Sequence, residues 1–495
     1  MKTPVSFFAR FLAALLITLF AVSPAWATCG GGGGGGGGGM TGGSGGGGSA
    51  AETYPVPWKV RDAKTPPAKG LVVYWFPASR EEMKSSSLRM SRTLSLYASQ
   101  CISMELADSR IPNADKLLGE SKLPVAVIAE PDGTPVTKVE NKDGKLKVDI
   151  VEKALDTEVK TRESALDEQI KTAKAKAAAG EKDEAIKLFQ AVAEQKCMFP
   201  SKAKSAAKEL KKLGVNEVAG LANAPDFSTP VFEARKSAQI ERTMQRGLIA
   251  ENVARYFVAE KLYQRARSMD PADPTPLRYL GELYRHHIGD WEKAKVSFNT
   301  ILNMPADPLS RAVALHGLGK ITIHEGEFKK GLHLMEQSVD EYPLALAYRN
   351  LAVYWNSEGD LVQGNGYTKK ALALDPKDPY NLVFAAVFMA ASGHKEEALK
   401  IARANMNLLP ASYNLAAIYA QNGQREKALA LLKRHFYQYE RYQSVRSKEM
   451  MEARVDAVFD SLRKDSDFLA LTRDADGRLM MPMRGMPATQ ASPNQ

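Results

Sequence analysis

A chain of 495 residues is long enough for two or three domains with buried cores, and 44% hydrophobic with 25% charged residues is the make-up of a folded globular protein. Lys and Arg exceed Asp and Glu by 67 − 57 = 10, which favours acidic partners or anionic surfaces. These cations alternate with acids through most of the chain instead of forming a stripe with aromatic residues between, so the pattern is not that of a dedicated nucleic-acid binder.

Residues 1–27 read as a signal peptide: Lys2 and Arg10 are followed by an apolar run from Phe11 to Val22, too short to span a bilayer, and then by Ala25-Trp26-Ala27. The expectation is an exported protein, periplasmic or outer-membrane-associated, with an extracellular location also open. Cys29 is a possible lipidation site and the one expected route to a membrane, although Trp26-Ala27-Thr28 matches a lipobox poorly. Segment 28–53 is a linker. Its Gly-rich core, Gly30 to Ser49, behaves as a flexible coil with a span of roughly 25 Å.

Segment 54–160 alternates strand and helix signals. Leu71 to Phe76, Ile102 to Leu106, Val125 to Ala129 and Val136 to Val139 are candidate strands, the last two joined by Pro131-Asp132-Gly133. Ser86 to Gln100 and Val148 to Val159 have helical periodicity. This order, with Leu123-Pro124 ahead of a strand, resembles the thioredoxin-like fold and its cis-proline. That family's C-x-x-C would follow Phe76, where a helix start lowers a thiol pKa. Pro77 to Met83 contains no Cys, so the unit is expected to lack dithiol activity.

Segment 161–239 reads as one degenerate helical repeat (Ala173, Gly180, Ala185, Phe189) followed by an irregular bridge with a Lys-rich helix, Ser201 to Leu213. From 240 to 442 a period emerges. Gly319 to Pro343 is 343 − 319 = 24 residues, and Gly247 to Pro271, Ala352 to Pro376 and Ala386 to Pro410 repeat that spacing. Gly326, Gly359, Gly393 and Gly423 each fall seven residues after a small residue. Tyr263, Phe298 and Leu432 follow small residues of the second helix. In phase, these positions resemble the tetratricopeptide repeat (TPR), a helix pair of about 34 residues. The implied fold class is an α-helical TPR solenoid preceded by a smaller α/β thioredoxin-like domain. Segment 443–473, with Val458, Phe459, Leu462, Phe468 and Leu471, is expected to cap the array. Segment 474–495 is a disordered tail rich in Met and Pro, including Met480, Met481, Met483 and Met486.

The TPR resemblance implies that the first helix of each pair lines a partner-binding groove. Its inward positions are Arg278, His316, Lys320, His324 and Arg349, with His286 beside Arg278. Such a wall suits a protein partner presenting an acidic or C-terminal segment, held by charge-assisted hydrogen bonds that strengthen as the imidazoles protonate near pH 6.5. Cys101 and Cys197 are either a disulfide or two free thiols. The histidines form no H-E-x-x-H set, no P-loop or G-x-S-x-G is present, and no catalytic residue, metal or cofactor is expected. The function these features imply is an exported scaffold or assembly factor of the cell envelope. The competing class is a redox- or metal-handling accessory protein working with a partner enzyme.

Overall fold

Alternation along the strands decides the N-terminal unit. In strand β2 (Val72–Phe76), Val73 and Trp75 enter one core with Val56 and Trp58, while Val72, Tyr74 and Phe76 enter another with Ile111 and Leu117. With β1 (Lys59–Val60), β3 (Ser103–Leu106), β4 (Val125–Ala129) and β5 (Pro135–Glu140), it forms a sheet of order β1-β3-β2-β4-β5. β1, β3 and β2 are parallel, and β4 and β5 are antiparallel to their neighbours. The Leu123–Pro124 bond ahead of β4 is cis. The computed structural model describes residues 53–61, 65, 68, 70–215, 229–440 and 443–473. The expected signal peptide, most of the linker, Cys29 and the Met/Pro-rich tail lie outside these residues. Among the described residues no helix is long and apolar enough to cross a membrane.

Helix α1 (Arg80–Ser85) follows β2, α2 (Arg92–Ser99) precedes β3, and α3 (Ala114–Leu118) precedes β4. The continuous helix expected from Ser86 is broken. Ser87–Arg89 is a single 3-10 turn, and α2 starts anew where the Ser91 hydroxyl accepts the Leu94 N–H at 2.9 Å, because serine oxygens compete for backbone donors and favour caps. The boundary expected at 160/161 also fails, since α4 (Val148–Ala178) runs straight through it. Nothing between Val148 and Ala178 breaks a helix, ion pairs Asp156–Lys160 and Glu158–Arg162 brace it, and it ends at Gly180 (φ +84°). Helices α5 (Lys182–Glu194) and α6 (Pro200–Lys212) fold back against α4 and share the core of the sheet. Cys101, in the turn before β3, is disulfide-bonded to Cys197 in the turn after α5, their Cα atoms 5.7 Å apart.

The array follows as helix pairs: α7 (Ala234–Asn252) with α8 (Tyr256–Met269), α9 (Thr275–Glu282) with α10 (Trp291–Leu302), and α11 (Pro308–His324) with α12 (Phe328–Glu341). Then come α13 (Ala345–Ser357) with α14 (Leu361–Leu374), α15 (Pro379–Ala391) with α16 (Lys395–Ala404), and α17 (Ser412–Gln421) with α18 (Arg425–Arg434). α9 continues into a π-helical turn, Leu283–Ile288, and α18 into another, His435–Tyr439. The small residues of the period are where helices touch. A Cβ on Gly247 would meet the Tyr263 ring at 2.4 Å, and one on Gly281 would meet Phe298 at 2.3 Å, so no larger residue fits without repacking.

The two units are joined along the turns between successive pairs. Arg92, fully buried, pairs with Asp270 and with Asp273 (3.1 Å), and also donates to Val231 O (2.7 Å) and Ser237 Oγ (3.0 Å). Tyr54 Oη donates to Asp273 at 2.8 Å, and Tyr342 Oη to Trp58 O at 3.2 Å. At the rim, Arg80 lies 3.7 Å from Asp375. The last segment departs from its expected role as a cap. The turn Ala457–Leu462 and helix α20 (Ser466–Leu471) do cover the last pair, whereas α19 (Gln443–Val455) turns inward.

Candidate functional site: the concave groove

Successive first helices bring Arg285 and His286, Lys320, Asn350 and Tyr354, Phe384 and Val387, and Tyr413 and Asn414 to one concave face. Facing them are Glu449 and Glu452 of α19, with Glu440 and Asp456 at its two ends; a partly open space of about 100 Å³ remains between. The wall read from the sequence as cationic and open is therefore buried, and its members have partners inside the chain.

Arg278 is 3% exposed; its Nη1 donates to Ser310 Oγ at 3.4 Å, and its guanidinium lies 5.6 Å from the Tyr279 ring centre. Arg349 donates to Asn381 Oδ1 at 2.8 Å, lies 3.7 Å from Asp378, and covers the Phe384 ring at 5.3 Å. His316 is fully buried, its Nε2 accepting from Asn350 Nδ2 at 2.7 Å. Lys320 donates to Tyr354 Oη at 2.7 Å and sits 3.9 Å from Glu452 Oε1. His324 Nε2 is 3.6 Å from Glu452 Oε2, with its ring against Trp291. The structure thus joins Lys320 and His324 at one place, whereas Arg278 and Arg349 brace neighbouring pairs.

Burial also overturns the expected titration. It holds His316 well below the usual imidazole range, helped by Arg285, Lys320 and Arg349, and it lowers His324 to about 3 with Lys320 adding to the effect. With α19 in place, neither histidine gains charge near pH 6.5. Burial lowers Lys320, but Glu452, Tyr354 and Glu449 outweigh it and the ammonium ends above its ordinary value.

On α19, the two carboxylates one turn apart share a neighbourhood and titrate apart. Burial, with Glu449 and Asp456 nearby, lifts Glu452 to about 7 against the pull of Lys320. Burial pushes Glu449 up as well, yet His435, Lys320 and His324 outweigh it and leave it below the usual carboxylate range. Glu449 Oε2 is 3.6 Å from His435 Nε2, and Glu440 Oε1 is 3.7 Å from His286 Nε2. These contacts are longer than hydrogen bonds. His435 Nδ1 and Nε2, His324 Nδ1 and Glu440 Oε1 make no hydrogen bond.

Sequence reasoning missed Glu282, which forms a buried pair with Arg285 at 2.7 Å; its place one residue after Gly281 was the available signal. It expected 443–473 as a cap and missed the contact of α19 with the groove, because Glu449 and Glu452 lie more than a hundred residues from Lys320 and His324 and share no local period with them. Among the described residues no group of three or more His, Cys, Asp or Glu is arranged to hold a metal ion.

Stacked helix pairs in one phase, with their first helices on the concave side, make this a TPR-like helical-repeat protein. No family model matches the chain. The chain is similar to the Protein CTR9 homolog of Arabidopsis thaliana, 24% identical over 233 residues, which covers 37% of this chain and 21% of that relative. The chain thus spans about a fifth of the length of the curated relative it matches.

Proposed function

We propose that the protein is an exported, non-catalytic scaffold or assembly factor of the cell envelope that binds protein partners through its repeat groove. The observation that carries the reading is the concave face itself, which holds a whole helix of the chain, α19, against the first helices of the pairs. A surface that takes one helix has the dimensions and chemistry to take another. The likeness to the Protein CTR9 homolog over 233 residues supports an interaction role. The apolar run from Phe11 to Val22 and Ala25-Trp26-Ala27 support export.

The N-terminal unit is read as a thioredoxin-like domain that serves as a second docking surface. Its strand order and the cis bond before Pro124 support the resemblance, and Pro77 to Met83 supplies no thiol for dithiol exchange. The test places a photo-crosslinking residue at Asn414, in the groove, and at Lys187, on the outer side of α5, in the native host. Crosslinks to defined envelope proteins from Asn414 but not from Lys187 are expected. Recovery of the chain in the cytosolic fraction, or the same neighbours from both positions, would sink the reading.

A further inference from the structure

The helix in the groove is held in an unusual way for this molecule. α15, one of the helices forming the wall, buries Val383, Phe384, Ala385, Ala386, Val387, Phe388 and Ala390. α19 buries Met450 and Ala453 among its described residues; its inward face also carries Glu449 and Glu452, with Lys448 over the Trp291 ring at the edge. The contacts of its carboxylates to Lys320, His324 and His435 run from 3.6 to 3.9 Å. Around it, His435 Nδ1 and Nε2, His324 Nδ1 and Glu440 Oε1 are buried with no hydrogen-bond partner. At Arg92 the same chain closes a buried charge with four hydrogen bonds. Buried polar atoms left unsatisfied cost free energy that a better-fitting ligand recovers.

We infer that α19 is a resident stand-in, and that the groove's partner is a helix of another protein carrying two carboxylates one turn apart beside small apolar side chains. The inference rests on the scaffold reading and names the partner's chemistry for the same groove. Lys320 supplies the fixed positive charge, held by Tyr354 and kept protonated by its neighbours. The incoming carboxylates take the places of Glu449 and Glu452, and its apolar residues take those of Met450 and Ala453. α19 must leave for this to happen, so the groove's apparent affinity is reduced by the fraction of time α19 occupies it.

The probe is a fluorescent peptide with the sequence Gln443 to Asp456, titrated into the full-length chain. Against the parent chain binding should be weak. Against Glu449→Lys/Glu452→Lys, whose own α19 is repelled by Lys320, it should be about tenfold tighter or more, and should weaken with salt. Adding Lys320→Glu to that variant should abolish the gain. Glu449→Gln/Glu452→Gln serves as a milder opening should the double Lys variant fail to fold. Equal binding by parent and opened chains, or none to a folded opened chain, overturns the inference. So does a parent chain that dimerises by exchanging α19, which would assign the groove to a second copy. If Asn414 crosslinks envelope partners equally in parent and opened chains, the scaffold reading stands while this inference falls. If the peptide binds as expected but no envelope protein crosslinks, the scaffold reading is the one that fails.

Discussion

Two of the buried charge clusters among the described residues are built differently. At the junction of the sheet unit and the array, the Arg92 guanidinium meets Asp270 and Asp273 while its remaining N–H groups go to Val231 O and Ser237 Oγ, and Tyr54 closes the far side of Asp273. In the groove, Lys320, His324 and His435 face Glu449 and Glu452 across 3.6 to 3.9 Å, and several buried atoms go unpartnered. Taking charges out of water is offset only where geometry is good and every lone pair is met. The first cluster meets that condition and the second does not. The first therefore behaves as a permanent joint, and the second as an exchangeable contact.

The largest test of the contrast is Arg92→Ala. It strands two buried carboxylates, one of which burial already pushes up despite the guanidinium beside it, so the loss should be about 3–5 kcal/mol. Urea denaturation should show it, with the sheet unit and the array melting apart. A loss below about 1 kcal/mol would mean the junction is held by something else.

Next in size is the covalent joint within the N-terminal part. Cys101→Ser/Cys197→Ser removes a crosslink of sequence separation 96 and should cost about 2–4 kcal/mol. Reduction of the parent protein should reproduce the loss in a thermal melt. If neither lowers the midpoint, the bond contributes nothing in solution.

The groove should respond to pH more than to truncation. The unfolded Glu452 carboxyl titrates near 4.5, and the folded one near 7. Between those values the folded state holds the extra proton, so raising the pH through this window lowers stability. In Glu452→Gln that contribution is gone, and the variant should gain on the parent by about 1–3 kcal/mol from pH 4.5 to 7. His324 acts in the opposite sense. Its folded imidazole refuses a proton until about 3 while the unfolded one accepts near 6.5, so acid favours unfolding over that range. Parallel stability curves for parent and Glu452→Gln would show that the carboxyl is not buried as described.

The contrast also marks what a sequence reveals. Spacing exposed the array because each pair repeats a physical need: Gly247 beneath Tyr263, Gly319 against the Gly331 backbone, and Gly326 and Gly359 at φ +92° and +84° where first helices end. Strands β2 and β4 were legible because their apolar runs are continuous, whereas the two-residue β1 was not read. The limits of the helices were not, since the break before Arg92 depends on one Ser91 hydroxyl. Arg92 itself carries no local signal, and Asp270 and Asp273 read as ordinary turn residues. Of the residues assigned to the groove, Lys320 and His324 meet α19, whereas Arg278 and Arg349 brace neighbouring pairs, and burial within the chain was not foreseen. The helix that covers them mixes Glu449 and Glu452 with Arg446, Lys448 and Arg454, which has the pattern of a solvated surface until the array folds beneath it.

The smallest effect belongs to the other arginine of the same junction. Arg80, at the start of α1, faces Asp375 in the turn after α14 at 3.7 Å. Like Arg92, it bridges the sheet unit and the array. Unlike Arg92, its side chain is 30% exposed and that of Asp375 is 23% exposed. Water and salt therefore screen the pair, and removing one partner leaves no charge stranded in a dry interior. Arg80→Ala should lower stability by about 0–1 kcal/mol, and the small loss should disappear at high salt. A loss approaching that of Arg92→Ala would mean that contact between the two units, rather than burial and complete hydrogen bonding, governs the junction, and the distinction between its core and rim would collapse.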